Sequence, residues 1–491
     1  METSQTKKQV NKKKILFGCL SAVGALVLIG GGVGIGYGIW YHQHKENKFI
    51  EKAIPITNEY YGFNGDNITG FSQDVVANPS LLSSFNTLDL HSKDIDGNAS
   101  FSPRVFNEWK CLKVSLASAT FHFNSDGRSG YEVFTDCYLA SVIQLDLTDA
   151  DFASSISTDL PSYTGDVFTA DYTFGYANFS SLTSLDLSGT VFAASGMTSG
   201  DVYTASNTFN YAIFSSLTSL DLTGAVFAVG EMTTSGMVNT ASFTFMSAVF
   251  SFLTTLDLSG AVFAVGEMTT SGDVHTAYGT FSSAILSSLV TFNLSGTVFA
   301  SSGMTTSGNV FTASYTFAGT RLSSLTSLDL SGVLFAVGEM TTSGDVYTAY
   351  YTFTSANLSS LTSLDLSGTV FAASGMTSGN VYTANYTFDF GSFSSLITLN
   401  LSGAVFAVGE MTTSGDVRTA YYTFNYTTIS NLSSLYLPQN QTNQTWDGTF
   451  NDSTYPSTGG TVHWSDYNAT TPNRPSGWTE EWFEDWTWTA Q

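Results

Sequence analysis

Cysteines, basic residues and charges of any kind are scarce in this chain. Three cysteines in 491 residues are too few for a disulfide-stapled scaffold. Charged residues make up only 11% of the chain, and the formal net charge is −24. Nucleic-acid binding requires clustered Lys and Arg, so this composition predicts no nucleic-acid partner. A basic or cationic partner fits the charge better.

Catalytic constellations are also lacking. None of the six histidines lies near a Cys or Asp at the spacing of a metal site or a catalytic triad: His42, His44, His91, His122, His275 and His463. Polysaccharide lyases built on parallel β-solenoids use a Lys or Arg base, and between residues 150 and 437 only Arg321 and Arg418 are basic. We therefore predict that the protein is not an enzyme and has no catalytic residue, cofactor or metal site.

One apolar run lies near the N-terminus. Residues 15–41 contain no charge and exceed the ~20 residues that cross a bilayer as a helix. Five lysines precede the run, which predicts a cytoplasmic tail (1–14), a transmembrane helix (15–41) and an extracellular body on the plasma membrane. A cleaved signal peptide is the alternative, but the run ends at Trp40 and Tyr41, which suit a membrane interface. Lipidation at Cys19 stays open.

From residue 141 the chain repeats with a period of 35 or 36. The middle leucine of the motif L-x-x-L-x-L gives the register: Leu185, Leu220, Leu256, Phe292, Leu328, Leu364, Leu399 and Leu435. Weaker copies lie upstream at Leu88, Val114 and Leu145. Such short units cannot enclose a core alone, so the pattern predicts a solenoid in which each coil covers the next.

Within a unit, two local structures are expected. The segment L-T-S-L-D-L alternates as a strand does, with Leu185 and Leu187 inward and Asp186 outward. Val202, Ala205 and Phe209 have helical spacing and follow a column of N-cap residues: Asp166, Asp201, Asp273, Asn309, Asp345, Asn380 and Asp416. The fold class predicted is thus a leucine-rich-repeat-like solenoid, with one parallel sheet and short helical or 3₁₀ turns opposite. An all-β parallel β-helix is the alternative.

Two segments carry a family resemblance: Tyr351–Gly368 (YTFTSANLSSLTSLDLSG) and Met340–Phe353 (MTTSGDVYTAYYTF). They resemble the BspA-like bacterial leucine-rich repeat found in surface proteins and lipoproteins of mycoplasmas. The likeness covers roughly residues 80 to 437. This chain differs by about ten extra residues per unit and by lacking the family's cysteine before S-S-L. The resemblance implies surface exposure and adhesive or host-contact roles, and it transfers no catalytic residue.

An acidic column follows the predicted outward strand position: Asp146, Asp186, Asp221, Asp257, Asp329 and Asp365, with Asn293 and Asn400 at two further units. Carboxylates ~4.8 Å apart repel by about 1 kcal/mol in water and about 3 to 4 kcal/mol at an effective dielectric near 20. Bound cations such as Ca²⁺, basic side chains of a partner, or plain solvation would each relieve this repulsion. The six aspartates are the candidate partner-binding residues.

After Leu437 the period stops. Residues 438–491 hold six of the eight tryptophans and are predicted to form a cap, with Trp482, Phe483 and Trp486 on a short helix over the last coil. A sugar-binding aromatic platform is the alternative. Residues 42–80 are predicted to be a membrane-proximal spacer, and 81–437 the solenoid of about eleven coils. Cys111 and Cys137, about one coil apart, could form a disulfide or remain free, half-buried thiols.

These features predict a cell-surface adhesion or host-interaction protein. It would be held by one N-terminal membrane helix and would bind a host-matrix or surface protein through the acidic, Ser/Thr-rich sheet face. The alternative is a passive structural coat or stalk, whose nearly identical units serve length and antigenic variation without a defined ligand.

Overall fold

The computed structural model describes residues 51–152, 163–192, 200–227, 232–263, 268–299, 304–335, 339–371, 374–406, 411–438, 447–457, 459–464 and 483–490. The predicted cytoplasmic tail (1–14) and transmembrane helix (15–41) lie outside these residues. Within the described ranges, no helix has the length and apolar character needed to span a bilayer.

The described part of residues 52–491 is a parallel β-solenoid, which confirms the predicted repeat architecture. Each coil contributes short strands to as many as three sheets, which we call A, B and C. Sheet A comprises Thr87–Asp89, Lys113–Ser115, Gln144–Asp146, Ser184–Asp186, Ser219–Asp221, Thr255–Asp257, Thr291–Asn293, Ser327–Asp329, Ser363–Asp365, Thr398–Asn400, Ser434–Tyr436, Thr461–Trp464 and Thr487–Ala490.

The strands of sheets B and C lie in the segments that connect successive strands of sheet A. Sheet B comprises Met232–Thr233, Met268–Thr270, Met304–Thr306, Glu339–Thr342, Ser374–Thr377 and Met411–Thr413. Sheet C comprises Arg128–Ser129, Val167–Thr169, Val202–Thr204, Val238–Thr240, Val274–Thr276, Val310–Thr312, Val346–Thr348, Val381–Thr383 and Val417–Thr419.

A separate small sheet lies at the N-terminal end of the described solenoid. Its strands are Tyr61–Asn64, Asn67–Phe71, Asp94–Ser100 and Thr120–Phe121, and the first two pair antiparallel. The helices described in the structure are also found here: Gln73–Ala77 and Pro103–Glu108, with a 3₁₀ turn at Pro79–Leu82. Phe71, Phe101 and Trp109 are buried against the first coils.

The leucine columns predicted from the repeat are confirmed. Leu185 pairs with Leu220 and with Leu145, and the weaker upstream copies Leu88 and Val114 fall in the same register. Leu185 and Leu187 are buried while Asp186 is exposed, as the alternation predicts. Because every coil places the same side chain at the same point, apolar residues form continuous buried columns.

Phenylalanine forms two long columns and a shorter one at Phe179, Phe214 and Phe250. One runs from Phe174 to Phe450, with ring centroids of neighbouring coils 4.9–5.4 Å apart. The other runs from Phe192 to Phe406 at 4.8–5.1 Å. Stacked rings bury a large area and add aromatic contacts, so they join each coil to the next through the core.

The predicted helix opposite sheet A is wrong; the all-β alternative describes these segments. Val202–Thr204 is a strand of sheet C, in which Val202 and Thr204 are buried and Tyr203 is half-buried. Ala205 and Asn207 then take positive φ angles of 50° and 56°, which an α-helix cannot contain. The helical spacing of Val202, Ala205 and Phe209 therefore comes from a strand followed by a tight turn.

The column predicted to form helix N-caps has a different role. The Asp201 side chain accepts a hydrogen bond at 2.6 Å from the backbone N–H of Met237, the equivalent residue of the next coil. Asp166, Asp273, Asn309, Asp345 and Asn380 do the same, at 2.7–2.9 Å. These residues do cap a backbone N–H, but that N–H belongs to the neighbouring coil and not to a helix.

A buried threonine column stabilises the turn after sheet C. The hydroxyl of Thr316 donates to the carbonyl of Ala277 in the preceding coil at 2.8 Å, and Thr352 donates to Ala313 at 2.7 Å. Ala277 and Ala313 have positive φ and are buried. The threonine thus satisfies a carbonyl that the left-handed turn removes from the regular ladder.

Coil length differs between the ends and the centre. Leu88 pairs with Val114, 26 residues later, and Val462 pairs with Trp488 at the same interval. Central coils are 35 or 36 residues long and contain the strands of sheet B. A glycine follows each of these strands because a Cβ on Gly308 would lie 2.4 Å from the carbonyl oxygen of Gly272.

The chain beyond Leu437 adds two further strands to sheet A, Thr461–Trp464 and Thr487–Ala490. Trp464, Phe483 and Trp486 are buried. Trp482 lies outside the described residues. The predicted cap helix is wrong over Phe483 and Trp486, because Phe483 has a positive φ of 56° and these residues form a turn before the last strand. The domain limits 42–80, 81–437 and 438–491 stay predictions. Cys111 and Cys137 are free thiols, and both are buried.

Candidate interaction surfaces

The six predicted aspartates form one column along the outer side of sheet A. Asp186 is in register with Asp146 and Asp221, Asp221 with Asp257, and Asp329 with Asp365. Asn293 and Asn400 occupy the same column. We call this set the aspartate column. The sequence alone predicted its membership and its outward direction.

Each aspartate of the column closes a turn at the end of its strand. One carboxylate oxygen accepts a hydrogen bond from the backbone N–H two residues later, at 2.8–3.1 Å. Asn293 and Asn400 make the same bond at 3.0 Å through their amide oxygens. Asp and Asn both favour this Asx turn, so the residue type has a structural reason that is independent of charge.

This bond gives all the carboxylates of the aspartate column one orientation. They are exposed or half-exposed, and Asn400 donates to the carboxylate of Asp365 at 3.0 Å. Within the described ranges, no three His, Cys, Asp or Glu side chains come together as a metal ion would require. The described aspartates therefore form a row of similarly oriented carboxylates and not a cluster that could enclose a metal ion.

A second surface, on sheet C, was missed by reasoning from the sequence. In the three-residue strands of sheet C the middle residue is half-buried, except for the buried Asn239, and the next turn carries further aromatic residues in the coils from His275 onward. Together they form a continuous group of rings, which we call the tyrosine surface: His275, Tyr278, Phe311, Tyr315, Tyr347, Tyr350, Tyr351, Tyr382, Tyr386, Tyr421 and Tyr422.

Two ring orientations alternate on the tyrosine surface. Tyr351 and Tyr386 stack with centroids 4.7 Å apart and planes 10° apart. Tyr350 meets Tyr351 edge-to-face at 4.5 Å and 82°, and Tyr421 meets Tyr422 at 4.2 Å and 78°. Burial raises the pKa of Tyr315 and Tyr386 to about 12, although a tyrosine hydroxyl with its ordinary pKa near 10 is already neutral at physiological pH.

The signal for the tyrosine surface was present in the sequence as T-A-Y-Y-T-F, at 348–353 and again at 419–424. Taken singly, these tyrosines look like solvent-exposed helix positions. Only the register of sheet C, in which Tyr347 pairs with Tyr382 and Phe311, brings the rings of successive coils together.

Arginine occupies the tyrosine columns near both ends of sheet C. The guanidinium of Arg418 lies 4.7 Å from the ring centroid of Tyr421, and its Nη2 is 3.7 Å from a carboxylate oxygen of Asp416. The guanidinium of Arg128 lies 4.3 Å from the ring centroid of Tyr131. In both cases the arginine is on the sheet C strand and the tyrosine follows three residues later.

Two acidic side chains are buried beside the tyrosine columns. Burial raises the pKa of Asp171 to about 7 and that of Asp389 to about 6. Asp171 accepts from the amide of Asn207 at 3.3 Å, and Asp389 accepts from Asn425 at 3.0 Å. These amide donors favour the charged forms but do not offset the loss of water.

Comparison with known proteins adds no relative: the chain matches no protein-family model, no curated protein and no solved structure.

Proposed function

We propose that the protein is a cell-surface adhesion or host-interaction protein that binds a partner carrying basic side chains through the aspartate column. The supporting observation is the in-register row of carboxylates, which one repeated turn bond holds in a common orientation. Aligned charges of one sign favour an extended cationic partner and accelerate its association at low salt. The predicted membrane helix at 15–41 would hold the solenoid on the extracellular side of the plasma membrane.

Membership of the BspA-like leucine-rich-repeat family is part of this proposal. The 26-residue coil from Leu88 to Val114 supports it, since the family resemblance was weakened by about ten extra residues per unit. Every described strand of sheet B lies in a coil of 35 or 36 residues. These coils are then lengthened versions of a shorter repeat.

Full-length protein in neutral liposomes tests the proposal. Binding to immobilised matrix proteins and to cells would be measured for the parent and for a variant with Asp→Asn at 146, 186, 221, 257, 329 and 365. Asn keeps the turn bond, as Asn293 and Asn400 show, and removes only the charge. We expect the parent to bind, with affinity falling as salt rises, and the variant to lose binding.

A matched control removes a similar charge elsewhere. Asp→Asn at 66, 74, 136 and 452, with Glu59→Gln, removes five exposed charges that lie outside both the aspartate column and sheet C. Equal loss of binding in both variants would point to overall charge rather than to the aspartate column. Failure of the parent to bind any surface would refute the adhesion proposal.

A passive coat or stalk is the second candidate. The turn bond favours it, because that bond explains every aspartate of the column without a ligand. This candidate predicts that the sixfold Asn variant resembles the parent in every binding assay.

A further inference from the structure

The tyrosine surface has features that an acidic coat does not need. It joins eleven aromatic side chains across five successive coils, from His275 to Tyr422, at positions that face outward from sheet C. Ser or Thr would suit a strand position that only contacts water, and these residues occupy most of the outward first positions of the sheet A strands. Half-buried tyrosines combine apolar area with a polar tip, the combination that is enriched at protein interfaces.

Two arginines of the chain itself show that a guanidinium group can pack on the tyrosines of these columns. Arg128 over Tyr131 and Arg418 over Tyr421 repeat one arrangement at two distant coils, with guanidinium-to-centroid distances of 4.3 and 4.7 Å. Arg128 is in register with Phe168, and Arg418 with Tyr382, so both belong to one column. Guanidinium groups stack on aromatic faces more readily than ammonium groups do.

The central coils offer the same chemistry without an arginine of their own. Tyr350 occupies the position of Tyr421, and Asp345 occupies that of Asp416. Between residues 150 and 437 the sequence contains only Arg321 and Arg418 as basic residues. Arg321 belongs to a different column, where it bridges to Ile285 and Asn357.

We propose that the tyrosine surface between His275 and Tyr422 binds an arginine-containing segment of a partner protein. Guanidinium groups of the segment stack on the rings, and the carboxylates of Asp273, Asp345 and Asp416 supply the complementary charge. This site is separate from the aspartate column on sheet A and does not depend on it. Arg418 occupies one end of the surface and competes with the segment for Tyr421.

Peptide binding to the full-length protein in neutral liposomes tests the proposal. The probes are hexa-arginine and hexa-lysine peptides of equal charge, and affinities are measured by titration at fixed salt. We expect the parent to prefer arginine over lysine, and Tyr350→Leu to reduce that preference by about two- to five-fold. Tyr350→Phe, which keeps the ring, should retain it.

A matched control is a double variant, Tyr176→Leu with Tyr211→Leu. These two tyrosines are exposed and stack with centroids 5.2 Å apart, but they lie outside the tyrosine surface. The control should keep the full preference for arginine. Equal affinity of the parent for both peptides, or equal loss of preference in the control, would overturn the proposal.

A gain of binding provides a measurement that misfolding cannot imitate. Arg418→Gln frees Tyr421 and should tighten hexa-arginine binding by about two- to five-fold. Arg321→Gln removes the same charge from a column that is not part of the surface, so it should change both peptides equally. If Arg418→Gln and Arg321→Gln have identical effects, or if a neutral cello-oligosaccharide competes with hexa-arginine, the assignment of the surface to arginine is wrong.

Discussion

The buried carboxyl group of Asp171 makes the stability of the solenoid depend on pH. The side chain is 4% exposed and its pKa is raised to about 7 by burial, well above the ordinary value near 4. The folded state therefore holds a proton that the unfolded chain releases at lower pH. Stability from this proton is complete below about pH 4 and is lost as the pH rises through about 7.

Asp171→Asn should remove this dependence. Asn remains neutral and can still accept from Asn207, so the variant should gain stability over the parent as the pH rises from about 5 to about 8. A tenfold difference in proton affinity between the folded and unfolded states corresponds to about 1.4 kcal/mol. Thermal unfolding across this pH range measures the difference. Asp186→Asn, an exposed change on sheet A, is the control, and a parallel gain there would contradict the assignment to Asp171.

Strands of three residues depend on links between coils. Each contributes few backbone bonds, and side chains that reach the next coil add to the ladder. The Asp/Asn column of sheet C is such a link, and it is interrupted at Met237, which donates its own N–H to Asp201 but has no side-chain oxygen to accept from the N–H of Asp273. The interruption is local because every link joins only nearest neighbours.

Met237→Asn should restore the missing link. Asn309 and Asn380 show that the amide oxygen fits this position, at 2.8 and 2.9 Å from the next backbone nitrogen. We expect the free energy of unfolding to rise by about 0.5–1.5 kcal/mol. Chemical denaturation provides the measurement, and Met237→Leu, which cannot accept, should show no gain. A gain of the same size with Leu would assign the effect to packing instead.

At the scale of the whole solenoid, stability accumulates coil by coil. The phenylalanine, leucine and threonine columns run through equivalent positions, so the interface between successive central coils is nearly the same along the solenoid. A chain built in this way can lose whole repeats without exposing a mismatched surface.

Deleting residues 238–345 removes three repeats and joins Met237 to Val346, which is equivalent to Val238. We expect a folded protein with unchanged β-sheet circular dichroism and a denaturant m value reduced in proportion to the solenoid removed. Deleting residues 238–327 removes an incomplete number of repeats, shifts every column and should prevent cooperative folding. Equal behaviour of the two deletions would show that register is not what holds the coils together.

The sequence predicted those parts of the fold in which equivalent residues recur with a constant period. Leu185, Asp186 and Leu187 identify a strand, and their recurrence identifies the stacking. The segment from Val202 to Phe209 was predicted as a helix because a strand followed by a left-handed turn at Ala205 gives the same spacing of apolar residues. The spacing of apolar residues alone cannot separate these two cases.

Of the two candidate surfaces, the sequence predicted one and not the other. The aspartate column could be predicted, because the repeat period alone shows which residues belong to it. The tyrosine surface needs the register between sheet C strands, because Tyr350 contacts Tyr315 and Tyr386 of the neighbouring coils. Contacts between coils depend on the ring orientation of each residue, which the period does not fix.

The distribution of aromatic residue types along the chain has an optical consequence. Trp109 is buried near the start of the solenoid, and Trp464 and Trp486 are buried near its end, while the sequence has no tryptophan from 110 to 445. Indole emission from the solenoid therefore reports on its two ends, and phenol emission reports mainly on the central coils. Recording both during denaturation distinguishes fraying at the ends from melting of the middle, with no label added to the chain.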